Sequence, residues 1–118
     1  MSEIDFEKMG GLIPAVLQDV DSSEMLMVGF MNSESYTMTL QTGYATFFSR
    51  TRNMLWTKGE TSGNRARVIS AATDCDRDTI LLRVRMEGAG VICHQGTRSC
   101  FTESLQVAIP PGSGEAAR

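Results

Sequence analysis

Two apolar stretches, LIPAVLQDV from Leu12 to Val20 and MLMVGFM from Met25 to Met31, are separated only by Asp21-Ser22-Ser23-Glu24. Each has the length of a strand, and the polar link between them is turn-like. The pair therefore reads as a β-hairpin, which commits the first third of the chain to a sheet. Asn32 or Ser33 can cap a helix that follows. Tyr36, Met38 and Leu40 give that helix a rough apolar face, and Gly43 stands where a helix C-terminus favours glycine.

Beyond Gly43 the pattern returns to short β-prone runs. Tyr44 to Ser49 is aromatic-rich, and Thr51-Arg52-Asn53 turns the chain into a short strand around Leu55 and Trp56. Lys58 to Asn64 has two glycines and no hydrophobic period, so it reads as a loop. Arg65 to Ala72 and Thr79 to Glu87 are strand-like, Gly88-Ala89-Gly90 is a turn, and Val91 to Ser99 is irregular. Phe101 to Ile109 is expected to form a last strand, and 110–118 a flexible tail. The expected fold is α+β and β-rich: twisted, mostly antiparallel sheets with one or two short helices, in a single domain over residues 1–109.

Composition narrows the function classes. The hydrophobic fraction of 42% and charged fraction of 21% are those of a globular protein. No apolar run approaches the ~18 residues that would suggest a membrane span. The start, MSEIDFEKMGG, has no apolar core of a secretory signal, so a cytoplasmic location is expected. The net charge of -3 gives no electrostatic footing for nucleic acid. Arg50, Arg52, Lys58, Arg65 and Arg67 nevertheless gather in the middle of the chain, which suits a small anionic ligand better than a polymer.

All three cysteines and the sole histidine lie between residues 75 and 100. Six residues separate Cys93 from Cys100, and 17 separate Cys75 from Cys93. This is not a C-x-x-C ribbon spacing. Two readings stand: three buried small hydrophobes, the commoner case for an arbitrary globular chain, or metal ligands. Three details favour ligands. Cys93 and Cys100 flank a polar, glycine-containing segment, CHQGTRSC. Three thiolates leave one position of a tetrahedral zinc open for water. His94, next to Cys93, stands where a proton shuttle would be useful.

Asp74, Asp76 and Asp78 alternate around Cys75. In an extended segment the three carboxylates converge on one side, an oxygen cage suited to magnesium, with Cys75 on the other. In isolation a solvated acidic turn is the stronger reading. An EF-hand is excluded, because Thr79 and Arg85 stand where glycine and glutamate are required. One way to use both faces is a dimer in which Cys75 reaches a zinc of the partner chain.

Ser49 to Arg52 and Lys58 to Asn64 offer guanidinium groups, hydroxyls and glycine-flanked N–H groups, the chemistry that holds phosphate. No Walker A sequence is present. Taken alone, an ordinary polar hairpin and loop is the stronger reading.

Together MVGFMN (27–32), FFSRTRNMLWTKGETSGN (47–64), DCDRD (74–78) and CHQGTRSCF (93–101) resemble the phosphoribosyl-AMP cyclohydrolase family of histidine biosynthesis. The resemblance runs from about residue 12 to about 105. It implies an intertwined homodimer with two shared active sites. Zinc would lie on Cys75 of one subunit and Cys93 and Cys100 of the other, and magnesium on Asp74, Asp76 and Asp78. The implied substrate is phosphoribosyl-AMP, whose N1-substituted adenine is cationic and electrophilic at C6. Zinc-activated hydroxide is expected to attack C6, and hydrolysis of the N1–C6 bond opens the ring. His94 is the expected general base or proton shuttle; Arg50, Arg52, Lys58, Thr61 and Ser62 are the candidate phosphoribosyl contacts.

Two rivals predict other features. A zinc deaminase carries H-x-E and P-C-x-x-C, whereas His94 is followed by Gln95 and Gly96 and no P-C-x-x-C occurs. A zinc-stabilised interaction module needs four protein ligands, and adjacent Cys93 and His94 are awkward joint ligands.

Overall fold

A computed structural model describes residues 3–93 and 95–108. After a short 3-10 helix at Glu7–Met9, the chain forms β1 (Ile13–Asp19), β2 (Met25–Met31), α1 (Ser33–Thr42), β3 (Thr46–Ser49), β4 (Met54–Thr57), β5 (Ala66–Thr73) and β6 (Ile80–Met86). No helix among the described residues is long and apolar enough to cross a membrane. The fold is α+β and strand-rich, with one α-helix among the described residues.

Four strands form the main sheet in the order β2-β1-β6-β5, and β3 and β4 make a separate antiparallel hairpin. The expected first hairpin is β1–β2, pairing Ile13 with Met31 and Val16 with Val28. One pairing departs from the antiparallel expectation: β6 runs parallel to β1, aligning Ala15 with Ile80 and Asp19 with Val84. Strand direction across such a long separation depends on how the intervening chain returns, and local residue patterns do not carry it.

Alternation sets the core. In β1, Ile13, Ala15, Leu17 and Asp19 are buried while Pro14, Val16 and Gln18 are half-exposed. Ile80, Leu82 and Val84 of β6 face the same way and meet Leu26, Met31 and Phe47. The other face carries Val16 between Val28 and Leu81, and Pro14 opposite Phe30.

Helix α1 begins as the capping residues predict. The Asn32 side chain accepts from Ser35 N–H at 2.8 Å, and Asn32 N–H donates to Ser35 Oγ at 3.0 Å. Gly43, at φ 81°, closes the far end. The buried face is not the expected one, however. Ser35 and Thr39 are inward and Leu40 is 53% exposed. Residues two apart on a helix point about 200° from each other, so Tyr36, Met38 and Leu40 cannot share a face. Thr39 Oγ1 instead accepts from Thr46 N–H at 2.9 Å and lies 3.1 Å from Thr46 O, tying the helix to the start of β3.

The expected last strand is absent over residues 101–108, all of which are exposed and without regular structure. Apolar residues at strand spacing form a ladder only where a sheet edge is available, and this segment pairs with none among the described residues. Residues 109–118, and with them the tail, lie outside the described residues.

Candidate metal and substrate site

The aspartate segment is a turn, not an extended strand, and this corrects the reason for its convergence. It joins β5 to β6. Asp74 Oδ1 accepts from Asp78 N–H at 3.0 Å and Thr79 N–H at 3.3 Å, while Arg77 N–H donates to Asp74 O at 3.0 Å. Arg77 takes φ 61°, the left-handed conformation that reverses the chain. These contacts fold Asp74, Asp76 and Asp78 so that one oxygen of each lies within 4.8 Å of the others. The N–H groups of Asp78 lead those that hold the Asp74 carboxyl below its ordinary range.

This donor set fits magnesium, a hard cation that prefers carboxylate oxygen. The structure itself places a cation on the turn. Lys8 Nζ is 3.3 Å from Asp78 Oδ2 and 2.9 Å from Asp76 O.

The thiols are arranged differently. Cys93 and Cys100 stand at the two ends of the CHQGTRSC loop, and each influences the ionisation of the other. The backbone N–H of Gln95, then the Thr97 hydroxyl, holds the Cys93 thiol below its ordinary range. Burial, then the neighbouring Cys93, pushes Cys100 up. Of the pair, Cys93 is the thiol poised to carry the charge, and the Lys58 ammonium favours ionisation at both. Cys75 is exposed on the aspartate turn. Among the described residues the aspartates are the sole group of three or more such ligands gathered within 4.8 Å. One chain thus offers a zinc two thiols on one loop, and the third on a separate turn.

The thiol loop is anchored to the first hairpin. Cys100 N–H donates to Leu26 O at 2.7 Å and Ser99 Oγ to Met25 O at 2.7 Å. Arg98 pairs with buried Asp19 at 3.0 Å and with Glu24 at 2.8 Å. Cys93 and Gly96 close the loop itself, Gly96 N–H donating to Cys93 O at 2.9 Å. Sequence reasoning did not single out Arg98 or Asp19 as supports of the site. Their one local signal is the position of Arg98 between two candidate ligands. His94, the expected proton shuttle, lies outside the described residues.

A cleft of about 500 Å³ opens on the β3–β4 hairpin and the loop after it. Of the five candidate phosphoribosyl contacts, Arg52, Thr61 and Ser62 line it, beside Trp56 and Thr57. Arg50 instead stacks over Phe30, its guanidinium carbon 4.1 Å from the ring centre. Lys58 extends its ammonium to 5.9 Å from the Trp56 ring. Its charge also favours ionisation of Cys93 and Cys100. Glu60 accepts from Thr57 N–H at 3.0 Å and steadies the loop that carries Thr61 and Ser62.

Clustered carboxylates, a paired thiol with a favoured thiolate and a polar cleft are the equipment of a metal-dependent enzyme. Residues 27–102 match the family model described as phosphoribosyl-AMP cyclohydrolase. A protein of that name from Desulfatibacillum aliphaticivorans is 57% identical over 106 residues, covering 90% of this chain and 84% of the relative. Another, from Citrifermentans bemidjiense, is 55% identical over 101 residues, 86% of this chain and 80% of the relative. The histidine biosynthesis bifunctional protein HisIE of Bacteroides thetaiotaomicron is 54% identical over 101 residues, and there the chain spans only 49% of the relative's length. The chain belongs to the phosphoribosyl-AMP cyclohydrolase family, hydrolases that act on a cyclic amidine C–N bond.

Proposed function

We propose that this chain hydrolyses the N1–C6 bond of phosphoribosyl-AMP in histidine biosynthesis, as a cytoplasmic enzyme whose single domain spans residues 1–109. Family membership supports the activity. The observation that carries the mechanism is the placement of Cys93 and Cys100 at the two ends of one anchored loop, with Cys75 held on a separate turn. Cys75, Cys93 and Cys100 would hold zinc, which would supply hydroxide near neutral pH by bringing the ionisation of bound water down to about pH 7. The substrate's own positive charge makes C6 electrophilic. Hydroxide adds there, the C6–N1 bond breaks, and N1 takes a proton as the ring opens to a carboxamide and a formimino group. No ammonia leaves. His94 removes the proton from the attacking water and returns one to N1. Arg52, Thr61 and Ser62 bind the phosphoribosyl groups from the cleft, with Arg50 and Lys58 at its margins. Asp74, Asp76 and Asp78 would hold magnesium, whose positive charge would orient the substrate or polarise its groups.

The same reading makes the enzyme an intertwined homodimer in which Cys75 of one subunit completes the zinc site of the other. Three features support it. The thiols are divided between two places within one chain. On the sheet face that carries Val16, Val28, Phe30 and Leu81, Val28 is exposed and the other three are only half-buried among the described residues, with Arg50 stacked over Phe30. Phe101, Leu105 and Val107 project from a segment that has no ladder partner among the described residues.

The test is a spectroscopic assay of ring opening on N1-phosphoribosyl-AMP, alongside zinc content. Chelation is expected to abolish turnover and zinc addition to restore it, and Cys93→Ala is expected to lose both zinc and activity. Full turnover by zinc-free protein would refute the mechanism. Zinc-loaded folded monomers would refute the sharing.

A further inference from the structure

The N-terminal segment, outside the residues that match the family model, lies against the aspartate turn. Asp5 N–H donates to Arg77 O at 2.8 Å. Asp5 Oδ1 in turn accepts from Lys8 N–H at 3.2 Å, which closes the short helix beside the turn. From that helix the Lys8 side chain crosses to Asp78 Oδ2 at 3.3 Å and to Asp76 O at 2.9 Å. Both are oxygens of the residues assigned to magnesium. The ammonium is a singly charged occupant at the edge of a triply charged cage.

We propose that Lys8 sets the affinity of the aspartate turn for its divalent cation by competing with it. The inference rests on the assignment of magnesium to Asp74, Asp76 and Asp78. Without a divalent ion, Lys8 offsets one of three like charges and keeps the turn closed. With the ion bound, the ammonium and a doubly charged cation stand a few ångströms apart and repel. Asp78 must then turn from Lys8 toward the ion, or the ion binds at a disadvantage. Linkage makes this reciprocal: Lys8 weakens ion binding, and the ion loosens the hold of Lys8 on the turn. The interaction is partly solvent-screened, since the Lys8 and Asp78 side chains are 42% and 20% exposed.

The experiment is calorimetric titration of the zinc-loaded protein with Mg²⁺ in the absence of substrate, at low salt. Lys8→Met keeps most of the aliphatic stem and removes the charge. Coulomb repulsion between a doubly and a singly charged group about 5 Å apart in water corresponds to affinity about tenfold tighter in that variant. Lys8→Arg, which keeps the charge, should stay near the wild-type affinity. In wild type, saturating Mg²⁺ should also speed amide hydrogen exchange at Asp5, as the segment is released. Equal or weaker binding by Lys8→Met overturns the proposal while leaving the magnesium site in place. If wild type shows no saturable binding that Asp76→Asn removes, the magnesium assignment fails and this proposal fails with it.

Discussion

Gly29→Ala adds one methyl group where β2 packs against the Phe47 ring of β3. Gly29 lies in β2 opposite Ala15, and these two small residues make a shallow floor for the Phe47 ring. A Cβ on Gly29 would stand 2.5 Å from Phe47 Cδ1 and 2.7 Å from Cε1. Apolar carbons settle at about 3.5–4.0 Å, so the ring must retreat by roughly 1 Å. It has little room. Phe47 is fully buried and packs on Trp56, with ring centres 5.0 Å apart. Overpacking of this kind costs about 1–3 kcal/mol, against which reduced freedom of the unfolded chain returns about 0.5–1 kcal/mol. A net loss of about 1–2 kcal/mol is expected. Trp56 is the only tryptophan, so urea unfolding followed by its fluorescence measures the change directly. The denaturant slope should stay constant while the midpoint falls. Trp56 also lines the cleft, so a shifted ring should raise KM for phosphoribosyl-AMP. In a Phe47→Leu background the added methyl should cost much less, because the clashing ring edge is gone. A Gly29→Ala protein as stable as wild type, or one with the same cost in both backgrounds, would show that the Phe47 ring is not what demands glycine.

Asn32→Ala removes the reciprocal cap at the start of α1 and should lower stability by about 1 kcal/mol in the same assay, while Asn32→Ser retains most of it. Asp19 provides a test against pH. Burial pushes its carboxyl up, but the N–H and hydroxyl of Ser22, the Arg98 guanidinium and the N–H of Asp21 together outweigh it and leave the group below its ordinary value. A depressed folded-state pKa contributes stability above the unfolded value of about 3.9, and that stability disappears as pH falls through the folded value. Wild type should therefore exceed Asp19→Asn in stability near neutral pH and converge with it well below pH 4. A gap that persists unchanged at acid pH would assign the effect to packing instead.

Much of the fold was legible because its signals are local. The first hairpin declares itself in two apolar runs around a polar turn, and α1 in Asn32 and Gly43 at either end. The side of α1 that turns inward was not legible. Thr39 is buried where its hydroxyl partners the backbone of Thr46, a requirement set by a neighbour seven residues further on, and Ser35, one turn earlier on the same face, is buried with it. The candidate ligands also stood out by type and grouping. Their support did not, since Arg98 finds Asp19 from 79 positions away in the chain, a contact formed only when the thiol loop settles on the first hairpin.

The three aspartates and three cysteines show what each level decides. Sequence by itself determined which donor groups exist: hard oxygens around Cys75 and soft sulfurs around the polar loop, and hence the kinds of metal each would favour. It also determined the family, through motifs that join those donors. Only the tertiary structure decided how they meet. The carboxylates converge through a left-handed residue at Arg77 rather than through strand alternation, because hydrogen bonds to Asp74 make a turn the satisfied conformation. The thiols divide, two on one loop and one on the β5–β6 turn, because backbone contacts fix each segment to a different part of the sheet. Lys8 acquires a role beside the aspartates for the same reason. Residues 68 positions apart become neighbours only when the chain's backbone groups have found their partners.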